Sequence, residues 1–123
     1  MVKDYLGGFI PGENTYKQGG KEWYLSTLEE ACENIPLVQY DLMSVDLNSY
    51  PWHFKNWSFD TFLYHIKRME NVDITKPIII TPWGYVCDGW HRVAKAIMDG
   101  RDTISAYRLK VMPEPDKVNE DGE

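Results

Sequence analysis

The sequence predicts a single small α/β (α+β) domain, and three observations lead there. Its 123 residues suit one hydrophobic core. Short apolar runs rich in β-branched residues alternate with segments whose apolar residues recur at spacings of three and four. Gly and Pro clusters punctuate the boundaries. A hydrophobic fraction of 43% and a charged fraction of 26% are ordinary for a globular chain. Five Trp and eight Tyr argue for a packed interior rather than a disordered one.

Residues 1–20 carry Gly7-Gly8, Pro11-Gly12 and Gly19-Gly20 and read as a loosely held arm. Lys21 to Leu25 reads as a short strand. Ser26-Thr27-Leu28-Glu29 has the S-x-x-E form of a capping box, which predicts a helix from about Thr27 to Glu33 that Pro36 ends. Ile35 to Leu42 reads as a strand, followed by a polar loop. Ser58 is a suitable N-cap for a helix over Phe59 to Glu70. Phe59, Phe62, Leu63, Ile66 and Met69 fall on one face of it, with Arg68 opposite. Pro77 to Thr81 is the next strand, Pro82 to Tyr85 a turn, and Tyr85 to Cys87 the returning strand. A helix from Trp90 to Met98 stops at Asp99-Gly100, and Thr103 to Leu109 is a final strand. The domain thus spans 21–112, and 113–123 is an acidic tail expected to be disordered and solvating.

Several function classes drop out. No apolar run approaches the ~18 residues of a membrane span, and the N-terminus lacks a signal peptide's basic and apolar regions. Cys32 and Cys87 form no CxxC and no disulfide framework, which fits two reduced thiols in a cytoplasmic protein. The net charge of −6 is polarised. Residues 1–52 contribute −5 and the tail −4, whereas 53–101 carry +2. That pattern suits a small anionic ligand better than a long DNA duplex, whose binding needs many phosphates neutralised.

The basic stretch contains the chemistry. Asp88-Gly89-Trp90-His91-Arg92 sits where an apolar strand turns directly into a helix. Helix starts present unpaired N–H groups and the positive end of the macrodipole, a ready anion site. Gly89 permits the sharp turn and a close ligand approach. Arg92 is suited to gripping phosphate, and His91 to donating to a phosphate oxygen or moving a proton. Asp88 has two open readings, an N-cap or a carboxylate acting on a bound phosphate. Trp90, Val93 and Ile97 share a face, which makes Trp90 a core anchor. His91 and Lys95 lie nearly opposite, with Lys95 supporting the anion cradle. His65 and Arg68 on the preceding helix are candidates to close over the same site, and His53 is a weaker loop candidate. No HExxH, CxxC or regular His/Asp spacing supports a resident metal site, and neither a Walker A nor a GxGxxG sequence occurs.

At these residues the chain resembles the ParB/sulfiredoxin superfamily, in particular its ParB-like N-terminal domain. The family pattern runs from an "IPL" strand through a helix, a "PIIV" strand, a hairpin and a Gly-[Glu/Cys/His]-[His/Arg]-Arg turn. A helix ending at Gly and an "IPA" strand complete it. Here Ile35-Pro36-Leu37, the helix near Phe59, Pro77–Ile80, Asp88–Arg92, Gly100 and Ile104-Ser105-Ala106 stand in that order. The likeness covers Ile35 to Leu109, about three-fifths of the chain.

The resemblance implies a small mixed sheet flanked by helices. It also implies nucleotide phosphates bound by Gly89, His91 and Arg92. ATP, ADP or CTP are the candidate ligands, with Mg²⁺ as a candidate companion. Sulfiredoxins carry Cys where this chain has Trp90, which argues against peroxiredoxin repair. Chromosome-partitioning members carry Arg-Arg at the turn and two further domains, so a CTP-gated clamp is not expected. A branch resembling ADP-dependent serine kinases shares the Asp-Gly-x-His-Arg turn and adds a second carboxylate, for which Asp41 and Asp46 are candidates. The expected function is therefore a nucleotide-binding protein, as a metal-dependent NTPase or phosphotransferase with Asp88 and His91 as its catalytic groups. The alternatives are a non-catalytic protein-interaction module on the same fold, using Trp52, Trp57 and Trp83, and a small ParB-like nuclease.

Overall fold

Gly19 and Gly20, both at positive φ (59° and 80°), turn the first two strands back on each other in a two-residue hairpin. The computed structural model describes residues 15–48 and 58–119. β1 (Thr15–Gln18) and β2 (Lys21–Tyr24) pair antiparallel, and β7 (Lys117–Val118) adds to the other side of β2. This three-stranded sheet corrects two expectations. Part of the supposed arm is strand β1, and part of the supposed disordered tail is strand β7. The rest of both segments, 1–14 and 120–123, lies outside the described residues.

The tail is held by more than pairing. Trp23 Nε1 donates to the Pro113 carbonyl at 2.7 Å, and Asp116 N donates to the Glu22 carbonyl. The Asp116 carboxylate accepts from Tyr24 N at 2.8 Å and from Thr27 Oγ1 at 3.0 Å. Helix α1 (Leu25–Ala31) therefore begins two residues earlier than its capping box predicts, and Ser26 lies inside it. A charged acceptor from β7's approach segment thus takes the N-cap N–H of Tyr24, the donor that a capping-box glutamate would take.

The second sheet has the order β3-β6-β4-β5, formed by β3 (Val38–Asp41), β6 (Thr103–Arg108), β4 (Ile78–Ile80) and β5 (Val86–Asp88). β4 runs parallel to β6, and the other two pairings are antiparallel, so the sheet is mixed. The fold is α+β as expected, and among the described residues it holds two small sheets where one mixed sheet was expected.

Strand alternation explains its layers. Ile78 and Ile80 face a core shared with Leu42, Val45, Val86, Val93, Ala96, Ile104 and Ala106. Ile79 points the other way, to a core with Trp23, Leu28, Cys32 and Leu109. β4 is thus buried on both faces, which is why it reads as an unbroken isoleucine run.

Helix α2 (Phe59–Asn71) starts as the sequence predicts, with Ser58 Oγ accepting from Thr61 N at 3.1 Å. Its buried face differs. Tyr64 and His65 are buried, whereas Phe59, Phe62 and Ile66 remain exposed and the Phe59 and Phe62 rings stack on each other. Helix α3 (Trp90–Met98) has the predicted bounds and presents Val93 and Ala96 to the sheet. No helix among the described residues is long and apolar enough to cross a membrane.

Candidate functional site

Gly89 is the N-cap of α3 and sits at φ 108°, a conformation that side-chain-bearing residues rarely adopt. The fit around it is equally demanding. A Cβ there would stand 2.5 Å from Ile78 Cγ2 and 3.1 Å from Arg92 Nη2. Having no side chain, Gly89 caps nothing, and the first turn of α3 holds no acidic residue. The start of α3 presents the positive end of the helix dipole to an anion.

Asp88 resolves differently from the cap reading. It is the last residue of β5, and its Oδ2 accepts from Arg92 Nη2 at 2.8 Å. Both side chains are largely buried, at 17% exposed for Arg92 and 25% for Asp88. Burial pushes the Asp88 carboxyl above the usual carboxylate range, while Arg92 and Arg68 pull it back down. Arg92 Nε is buried and has no hydrogen-bond partner. Such an orphaned donor calls for an acceptor.

His91 is buried rather than facing solvent. Its Nε2 lies 2.8 Å from His65 Nδ1 on α2, and the two rings meet edge to edge with centroids 5.0 Å apart and planes 16° from parallel. Only 3% of His65 and 6% of His91 is exposed. Burial, the largest cause, drives His65 down to about 4 and His91 down to about 3. Those values include smaller downward contributions from Arg68 at both rings and from His65 and Arg92 at His91. Arg68 is itself held by Tyr64, whose hydroxyl accepts from Arg68 Nη1 at 2.7 Å.

The turn thus collects Asp88, Gly89, His91 and Arg92, and α2 supplies His65 with Arg68 as an electrostatic neighbour. Lys95 stands in the last turn of α3, where its ammonium lies 3.4 Å from the Glu70 carbonyl and 3.9 Å from an Asp99 carboxylate oxygen. Trp90 packs half-buried against the core, as expected of an anchor. Asp41 and Asp46 take local turn roles, accepting from Met43 N and Asn48 N. His53, Trp52 and Trp57 lie outside the described residues.

The His65–His91 bond is what sequence reasoning missed. Helical spacing gives the direction in which His91 projects but says nothing of what stands there. The available signal was a second His on the adjacent helix, beside that helix's apolar face.

Among the described residues no group of three His, Cys, Asp or Glu side chains could hold a metal ion. No protein-family model matches this chain, and neither a curated protein nor a solved structure matches it.

Proposed function

We propose that the start of α3 binds the phosphates of a nucleoside di- or triphosphate (ATP, ADP or CTP) and that the protein hydrolyses or transfers the terminal phosphoryl group. The observation that carries this reading is the orphaned, buried Nε of Arg92 beside an uncapped helix start. A phosphate oxygen supplies the missing acceptor, faces the positive end of the α3 dipole and is drawn by the guanidiniums of Arg92 and Arg68. Gly89 lets it approach the backbone. The resemblance to ParB/sulfiredoxin-like domains adds the nucleotide to the phosphate.

Asp88 is the one carboxylate that the turn itself contributes, and it would meet Mg²⁺ arriving with the nucleotide. Magnesium is commonly held by one or two carboxylates plus substrate phosphates, so a lone Asp suits that role better than a resident site. The metal's contribution is neutralisation of charge on the phosphates.

Calorimetric titration with ADP, ATP and CTP, with and without Mg²⁺, tests the reading. Saturable binding that disappears in Arg92→Ala is expected. If none of the three nucleotides binds the intact protein, the reading fails.

One observation favours the second reading, a protein-interaction module. An open groove of about 430 Å³ is lined by Ile35, Pro36, Val38, Pro82, Arg108, Leu109 and Lys110. Leu37, Trp83, Tyr85 and Val111, close to these residues in sequence, are exposed. A partner docking there would keep its affinity in Arg92→Ala and lose it in Trp83→Ala.

A further inference from the structure

We propose that His65 and His91 form a proton-relay pair, in which one proton shared between His65 Nδ1 and His91 Nε2 lets a proton taken up at one ring leave from the other. This inference rests on the phosphate-binding reading for its substrate, a hydroxyl group or water that attacks the bound phosphoryl group.

Geometry carries the argument. A 2.8 Å separation between two imidazole nitrogens is a hydrogen bond, so one nitrogen must hold the proton and the other a lone pair. Two neutral rings carry two protons on four nitrogens. Only two arrangements place a proton in the contact, and in each the rings share a tautomer. Either both carry it on Nδ1, with His65 donating, or both carry it on Nε2, with His91 donating.

Passage of one proton through the pair, in at one outer nitrogen and out at the other, converts one arrangement into the other. When a proton enters at His91 Nδ1, the Nε2 proton passes to His65 Nδ1, and the His65 Nε2 proton departs. The reverse sequence moves a proton the other way. In the reaction the attacking O–H bond breaks as the O–P bond forms and the bond from phosphorus to the leaving oxygen breaks. The hydroxyl proton enters the pair, and an equivalent proton leaves it for the oxygen that phosphorus releases, so the nucleotide departs protonated and the proton count balances.

The surroundings favour a relay over a lone base. A histidine that keeps an abstracted proton becomes an imidazolium. Here that cation would be buried beside Arg68 on α2 and Arg92 on α3, with Asp88 on β5 already bonded to Arg92. Handing the proton onward returns both rings to neutrality. Tyr64 packs edge-on to His65 at 5.2 Å, and the nearly coplanar rings aim each nitrogen lone pair along the shared bond. His65 is thus a positioning and relay residue acting through His91.

The test uses the full chain with ¹⁵N-labelled imidazoles. Both rings should be neutral at pH 7 and show the same tautomer, with a scalar coupling between His65 Nδ1 and His91 Nε2 across the shared proton. Opposite tautomers, or no coupling, overturn the pair. His65→Gln, which can hydrogen-bond to His91 but cannot pass a proton through, should lower nucleotide turnover on the order of a hundredfold while affinity stays within about twofold. Equal turnover in the two proteins, or none by either, overturns the relay. Failure of the wild-type chain to bind nucleotide overturns the phosphate-binding reading instead, and the imidazole spectrum then decides whether the pair exists.

Discussion

His65 Nδ1 and His91 Nε2, 26 residues apart in sequence and 2.8 Å apart in space, join α2 to the first turn of α3. The bond makes the packing of two helices depend on the protonation of two imidazoles. In the folded chain both rings titrate far below the ordinary histidine value of about 6.5, at about 4 for His65 and about 3 for His91.

The direction of the pH effect follows. Between pH 6.5 and the folded values, the unfolded chain binds protons that the folded chain refuses, so stability rises with pH across that window. The contribution is complete above about 6.5 and is lost as pH falls toward 4 and then 3. Its slope is about 1 kcal/mol per pH unit for each ring. Asp88, with a raised carboxyl, acts in the opposite sense, so the comparison has to isolate the histidines. Urea midpoints at pH 7.5, 6 and 5 should fall more steeply for the wild type than for the His65→Gln/His91→Gln double variant. Parallel slopes would contradict the assignment.

Gly89→Ala should be among the most damaging single-methyl additions available. The left-handed backbone costs about 1–2 kcal/mol with a side chain. The new Cβ also meets Ile78, fixed in the core at 0% exposure, which adds an overpacking cost of about 1–3 kcal/mol. Chemical denaturation should therefore show a loss of about 2–5 kcal/mol. A loss under about 1 kcal/mol would mean that the β5–α3 turn relaxes freely.

Arg92→Ala separates fold from ligand. Removing the guanidinium strands the Asp88 carboxylate without its charged donor, at a cost of about 1–3 kcal/mol. Adding Asp88→Asn should recover part of that stability, because the stranded charge is gone. It should not restore nucleotide binding. A double-mutant cycle by denaturation and by titration reads both effects.

Asp116→Ala should cost about 1 kcal/mol, the usual value of a lost helix-start acceptor. Amide hydrogen exchange gives the sharper check. Protection should fall in residues 116–119 and at the start of α1, with little change in β4 and β6. Uniform loss across the chain would mean that the strap is not a separate cooperative unit.

The legible parts of this fold are those whose signals are local. α2 carries its own Ser58 cap, α3 lies between Gly89 and the Asp99-Gly100 stop, and β4 and β5 flank a Pro-Trp-Gly turn. Their boundaries follow from neighbouring residues and come out within a residue or two. β1 and β7 are short and polar, and they are strands only because each pairs with β2. The apolar stripe of α2 misled for a related reason. His65 is buried where α3 presents His91 to it, and periodicity weighs hydrophobicity without knowing the neighbour. At the site, Gly89 and Arg92 were readable from the turn itself. The Asp88–Arg92 bond, four residues apart, was within reach of helical spacing, whereas the partner of His91 was not.

The strap formed by Pro113 to Val118 has a consequence for the order in which the molecule assembles. Tyr24 and Asp116 are 92 residues apart in sequence, so the β1–β2 hairpin and the start of α1 wait for a segment made long after them. Closing so long a loop is slow unless the intervening chain is already compact. The mixed sheet, with its parallel β4–β6 pairing, then serves as the template on which the ends meet. During synthesis the hairpin's β2 edge stays unpaired until β7 emerges, and that interval is when the chain is most open to strand exchange with another copy.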